Sequence, residues 1–171
     1  MKKDPSGIDR LVLLNTIIYE EGFKPPMRFE TGWFSKLYTS LYKASLSHRM
    51  MINATLNNGL GKGANLSATD KKGYWIPMRE GANEALYYFF TQTCNKLPDY
   101  YGDLLEQLDQ PAMLIWGAKD PMLKWAPQAE KVIEDLEIKT DDVHVLPEAR
   151  HFIQEEAPED IARWIAEFAK R

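Results

Sequence analysis

The sequence predicts an α/β fold in which a parallel sheet with flanking helices is interrupted by an inserted helical segment. Two short apolar runs, Leu11 to Leu14 and Ala112 to Trp116, are continuous rather than alternating, the pattern of strands covered on both faces. After the second run a helix and another strand follow within about thirty residues, the length of a βαβ unit, whose crossover is right-handed and parallel. Between Phe23 and Tyr101 the composition changes, with ten Lys/Arg against five Asp/Glu and 14 of the 20 aromatic residues. That middle segment reads as a lid inserted into an α/β core.

Composition excludes several classes. The chain has 171 residues, a formal charge of −4, 44% hydrophobic and 27% charged residues, as expected of an ordinary globular domain rather than a disordered or fibrous chain. One cysteine, Cys94, cannot form an internal disulfide and points to a reducing compartment, with the cytoplasm expected. No apolar run approaches the roughly 20 residues of a membrane span. The opening MKKDPSGIDR lacks the apolar core of a signal peptide.

The elements follow in order. Leu11 to Leu14 forms a strand ending at Asn15. Phe29 to Met51 and Gly81 to Cys94 are expected to be helical. The Gly/Asn-rich stretch Asn57 to Gly63 between them reads as a mobile loop; its three glycines do not follow a strand and match neither a phosphate-binding loop nor the dinucleotide spacing. Pro111 starts and Gly117 stops the strand Ala112 to Trp116. Ala129, Val132, Ile133 and Leu136 fall on one helical stripe, with Pro127 near its first turn. Val143 to Leu146 closes on Pro147 as the third strand. Pro158, Glu159 and Asp160 open a last helix with Ile161, Trp164, Ile165 and Phe168 on one face, and Lys170 and Arg171 complement its dipole.

Asp120 lies just past the carboxyl end of one strand and His151 just past that of the next, the rim where open α/β sheets carry their sites. An aspartate there can fix an imidazole tautomer while the histidine takes and returns a proton. Spacing alone leaves open a second reading, in which Asp120 shapes a turn and His151 caps a loop. His48 and His144 read as structural or surface residues, no Cys/His cluster has metal-ligand spacing, and neither a metal nor another cofactor is expected.

The wording Pro111-Ala-Met-Leu-Ile-Trp-Gly-Ala-Lys-Asp120-Pro, followed by Leu146-Pro-Glu-Ala-Arg-His151-Phe-Ile-Gln-Glu-Glu-Ala-Pro-Glu-Asp-Ile, resembles the end of an α/β-hydrolase, most like the haloalkane dehalogenase and epoxide hydrolase branch. Arg10-Leu-Val-Leu-Leu-Asn15-Thr is similar to that family's strand before its cap. The resemblance implies a partial core from residues 1–22 and 102–171, three parallel strands with flanking helices, and a helical cap over residues 23–101. It also implies His151 as catalytic base, Asp120 as its acid, and Tyr74, Trp75 and Trp33 as candidates to face a small apolar substrate. Tyr74 is the first choice among these.

The family's nucleophile elbow, Gly-x-Ser/Asp-x-Gly, occurs nowhere in the 171 residues. The resemblance therefore implies the C-terminal part of such a fold, inactive until a nucleophile is supplied. Without further strands the Leu11 strand has an open edge, and an N-terminal half, a partner chain or self-association is expected to cover it. The alternatives are an epoxide hydrolase or carboxylesterase of the same fold, or a non-catalytic binding or assembly module. A nucleic-acid surface is not expected, because the chain is acidic and its basic residues form no run.

Overall fold

Strand β1 (Leu11–Leu14) pairs in parallel with β2 (Ala112–Gly117), and β2 with β3 (Val143–Leu146), in the order β1-β2-β3. In this computed structural model, residues 7–19, 33, 37, 40–41, 48–88, 108–126 and 128–171 are described. The predicted helical positions at Pro127 and 89–94, and most of 29–47, lie outside them. So does Cys94. The chain divides into two compact units, one from residues 1–24, 59–62 and 101–171, the other from residues 25–58 and 63–100.

In the first unit the register puts Leu11 opposite Ala112 and Leu114 opposite Val143. Alternation along β2 then sends its side chains to two different cores. Ala112, Leu114 and Trp116 pack with Met122, Leu123, Val132, Leu136 and Ile138 on one face. Met113 and Ile115 pack with Ala149, Ile153, Ile161 and Phe168 on the other. Every residue of β2 is buried, which is why this strand is written as an unbroken apolar run. Trp116 also satisfies its indole N–H, which donates to the Leu123 carbonyl at 3.0 Å.

Helix α4 (Ala129–Asp135) covers the first face and helices α5 (Ile153–Glu156) and α6 (Pro158–Phe168) the second. The predicted apolar stripes are the packed ones: Val132 and Leu136 are buried on one side, Ile161 and Phe168 on the other. Past α6, Arg171 pairs with the Asp142 carboxylate and lies over the Phe168 ring, 5.3 Å from its centroid. The C-terminal charge thus meets a specific partner in the short turn Thr140–Asp142.

His144, on β3, stacks flat on Trp164 of α6, with ring centroids 4.2 Å apart and planes 1° from parallel. Burial pushes its pKa below the ordinary histidine value; Arg163 and Arg171 act in the same direction and Asp142 and Glu167 against it. The unfolded chain therefore binds a proton near pH 6.5 that the folded chain resists, and stability falls as pH drops through and below that value. His144→Phe keeps the stack and removes the titrating group. Its denaturant midpoint is expected to lose less than the parent's between pH 7.5 and pH 5, and an identical pH dependence would refute the assignment.

In the second unit, helix α1 (His48–Gly59) begins within the predicted Phe29 to Met51 helix and continues past Met51, carrying the chain into the first unit at Gly59. Helix α2 (Ala68–Pro77) was not evident from periodicity. Its start is a capping box: the Ser67 hydroxyl accepts from Asp70 N–H at 3.1 Å, and the Asp70 carboxylate accepts from Ser67 N–H at 3.0 Å, so both orphan donors are satisfied. A wide turn, Met78–Ala82, bends the chain at Gly81, whose φ of 112° suits glycine. Helix α3 (Asn83–Tyr88) follows.

Among the described residues, no helix is long and apolar enough to cross a membrane.

Candidate active site

Parallel pairing of β2 and β3 brings their carboxyl ends side by side, and the loops leaving them carry Asp120 and His151. The two side chains meet: His151 Nδ1 lies 2.8 Å from Asp120 Oδ2. The Asp120 side chain is fully buried, whereas that of His151 is 25% exposed. A buried carboxylate needs donors, and Met122 N–H and Leu123 N–H donate to Asp120 Oδ1 at 2.7 and 3.0 Å. One oxygen is thus held by the backbone of its own turn, and the other is left for the imidazole. With Nδ1–H donated to Asp120, Nε2 carries the lone pair and can act as a base.

Residues around the pair hold the histidine loop through its backbone. Gly59 C=O accepts from His151 N–H at 2.8 Å and from Phe152 N–H at 3.2 Å. Glu156 accepts from Arg150 N–H at 3.0 Å. Asn15, at the end of β1, donates to the carbonyls of Arg150 and His151 at 2.7 and 3.1 Å and accepts from Gly117 N–H at 2.8 Å. Phe152 meets the His151 ring edge-on, with centroids 5.2 Å apart.

These contacts correct the expectation for Asn57 to Gly63. Its first three residues close helix α1, and Gly59 and Leu60 are buried. The glycines permit close approach: a Cβ at Gly59 would lie 2.5 Å from the Phe152 ring, and one at Gly61 would overlap the Glu156 carboxylate. Asn15, Gly59, Glu156 and Gly117 were not singled out from sequence as site residues. Only Asn15 carries a local signal, a polar residue ending an apolar strand.

The other substrate candidates lie in the second unit. Tyr74 and Trp75 are half-buried on α2. The Trp75 ring has the Arg49 and Arg79 guanidiniums each 5.7 Å from its centroid, and Trp33 is 66% exposed. His48 opens α1, and His144 is committed to its stack on Trp164. Among the described residues no group of three His, Cys, Asp or Glu side chains is placed to hold a metal ion.

No family model matches the sequence, and no curated protein matches it. Solved structures do. An α/β-hydrolase fold protein from Burkholderia ambifaria superposes with a TM-score of 0.62 at 19% identity, over 92% of this chain and 56% of that one. An esterase from the thermophile Thermogutta terrifontis gives 0.62 at 15%, over 95% and 56%. A serine hydrolase involved in carbazole degradation gives 0.62 at 14%, over 95% and 54%. The three-stranded parallel sheet with its flanking helices is thus the α/β-hydrolase fold, and the chain spans about half the length of the structures it matches.

Proposed function

We propose that this chain supplies the base and the acid of a nucleophile–histidine–acid triad in a hydrolase acting on a small apolar substrate. The observation that carries the reading is the pair itself: a half-buried imidazole 2.8 Å from a fully buried carboxylate whose second oxygen is held by two backbone N–H groups. An exposed charge pair would need none of this. His151 is the base, and Asp120 orients it and stabilises the imidazolium as it forms.

The nucleophile is proposed to come from outside these residues: an N-terminal half, a partner chain or a second copy pairing beside β1, which is an edge of the sheet among the described residues. The sequence resemblance favours a dehalogenase-like aspartate. Its carboxylate would displace halide from carbon, or open an epoxide whose oxygen takes a proton from a hydroxyl donor; His151 would then take a proton from the water that attacks the ester carbonyl and pass it to the departing alkoxide, freeing the carboxylate. The esterase and the serine hydrolase among the structural neighbours favour a serine, which His151 would deprotonate as it attacks an ester carbonyl, later passing that proton to the leaving alkoxide. Tyr74, Trp75 and Trp33 are proposed as substrate-facing aromatics on the resemblance alone.

Reading the coding frame upstream of Met1 and expressing the joined product tests this. Gly-x-Asp-x-Gly with halide release from a short haloalkane supports the dehalogenase form, and Gly-x-Ser-x-Gly with acid release from a short ester supports the esterase form. An in-frame stop, with no hydrolysis by the chain alone or by its oligomers, would favour a binding or assembly module instead.

A further inference from the structure

We infer that Asn15 is a positioning residue for the His151–Asp120 pair, the point at which strand β1 sets the placement of the histidine loop. The inference rests on the acid–base reading above and concerns a residue that touches neither reacting side chain. The Asn15 carboxamide makes three bonds at once. Its oxygen takes Gly117 N–H, and its nitrogen gives one hydrogen each to the Arg150 and His151 carbonyls. The partners themselves fix the amide's orientation, since only the nitrogen can face two carbonyls.

No other short side chain meets this demand. Aspartate would turn an oxygen toward two carbonyls, serine and threonine have one hydrogen to give, and glutamine carries its amide one methylene further out. The backbone narrows the choice again. Asn15 has φ 31°, in the left-handed region that asparagine tolerates better than most residues. Asn15 is buried, so a lost partner is not replaced freely by bulk water.

The loop geometry shows what the bonds accomplish. Gly117 precedes Asp120 by three residues, and Asp120 N–H donates back to Gly117 C=O at 3.1 Å. Arg150 and His151 carry the imidazole. Asn15 therefore ties the base of the acid's turn to the backbone of the histidine with one planar group, beside the direct Lys119 N–H to Ala149 C=O bond at 3.0 Å, and the 2.8 Å Nδ1 to Oδ2 contact spans the gap that these bonds set together.

Asn15→Gly is the test, because glycine keeps the positive φ without strain while removing the carboxamide together with its one methylene. In ¹⁵N-labelled full chain, the parent should show one downfield Nδ1–H resonance from His151. Asn15→Gly should broaden it, and hydrogen exchange at His151 and Phe152 N–H should quicken on the order of tenfold. Leu136→Ala, a core change on the far side of the sheet, should lower stability and leave that resonance in place, which separates positioning from general destabilisation. Asn15→Asp should behave like Asn15→Gly. A folded Asn15→Gly with an unchanged resonance and unchanged exchange would overturn the inference. Should neither variant fold, exchange of the Asn15 carboxamide protons in the parent decides: slow exchange matching His151 N–H supports the clamp, and fast exchange refutes it. Hydrolysis enters none of these readouts, so failure of the proposed reaction leaves the inference standing or falling on its own.

Discussion

Asp120→Asn is expected to lower kcat of the proposed hydrolase, once a nucleophile completes it, by about 10⁴-fold while leaving it folded, the scale of a wrong imidazole tautomer in such triads. The geometry says why. The amide oxygen would stay with Met122 and Leu123 N–H, which need an acceptor, so the new NH₂ would face His151. Nδ1 would then have to accept, the ring proton would move to Nε2, and the base would be lost. His151→Ala removes the base outright. With a carboxylate nucleophile that variant should stop at the covalent ester, visible as an added mass on the intact protein. Steady-state turnover near the parent's rate by either variant would sink the assignment.

Gly117→Ala should be the most damaging single change to stability. A Cβ there would overlap Arg150 C=O and sit 2.8 Å from Ala149 C=O. These are backbone atoms of the histidine loop, so no rotamer change relieves the overlap and the loop itself must move. The expected cost is about 3 kcal/mol or more, the upper range of overpacking, read as a shift in denaturant midpoint, with the His151 Nδ1–H resonance displaced. A loss under about 1 kcal/mol would mean that the two backbones separate easily and that the close approach is not a constraint.

The parts of this molecule that were legible in its sequence are those whose signal is local. Strand β2 announces itself because both its faces are buried, so six consecutive positions are apolar or small. The meeting of Asp120 and His151 is legible because each follows a strand end, and parallel strands put those ends together. The clamp around them was hidden because its members are related only through space. Gly59 falls in a stretch that reads as a mobile loop, yet its carbonyl serves two loop N–H groups, and nothing in its neighbours along the chain records that. Gly117 read as a stop signal, when its missing side chain is what lets two backbones cross. Helix α2 lacks a clear apolar stripe, and the Ser67-x-x-Asp70 box is its sign in the sequence.

The register of the sheet has a kinetic consequence. Asp120 and His151 are 31 residues apart, whereas Asn15 and Gly117 are separated by 102. Closing the longer loop costs about 1 kcal/mol more in chain entropy, and contacts of long sequence separation form late. The β2-α4-β3 segment is therefore the natural nucleus, bringing Asp120 and His151 together before β1 arrives. Docking of β1 then brings Asn15 onto a pair already roughly in place, so substitutions at Asn15 should speed unfolding, while those at Leu114 or Val132 should slow folding.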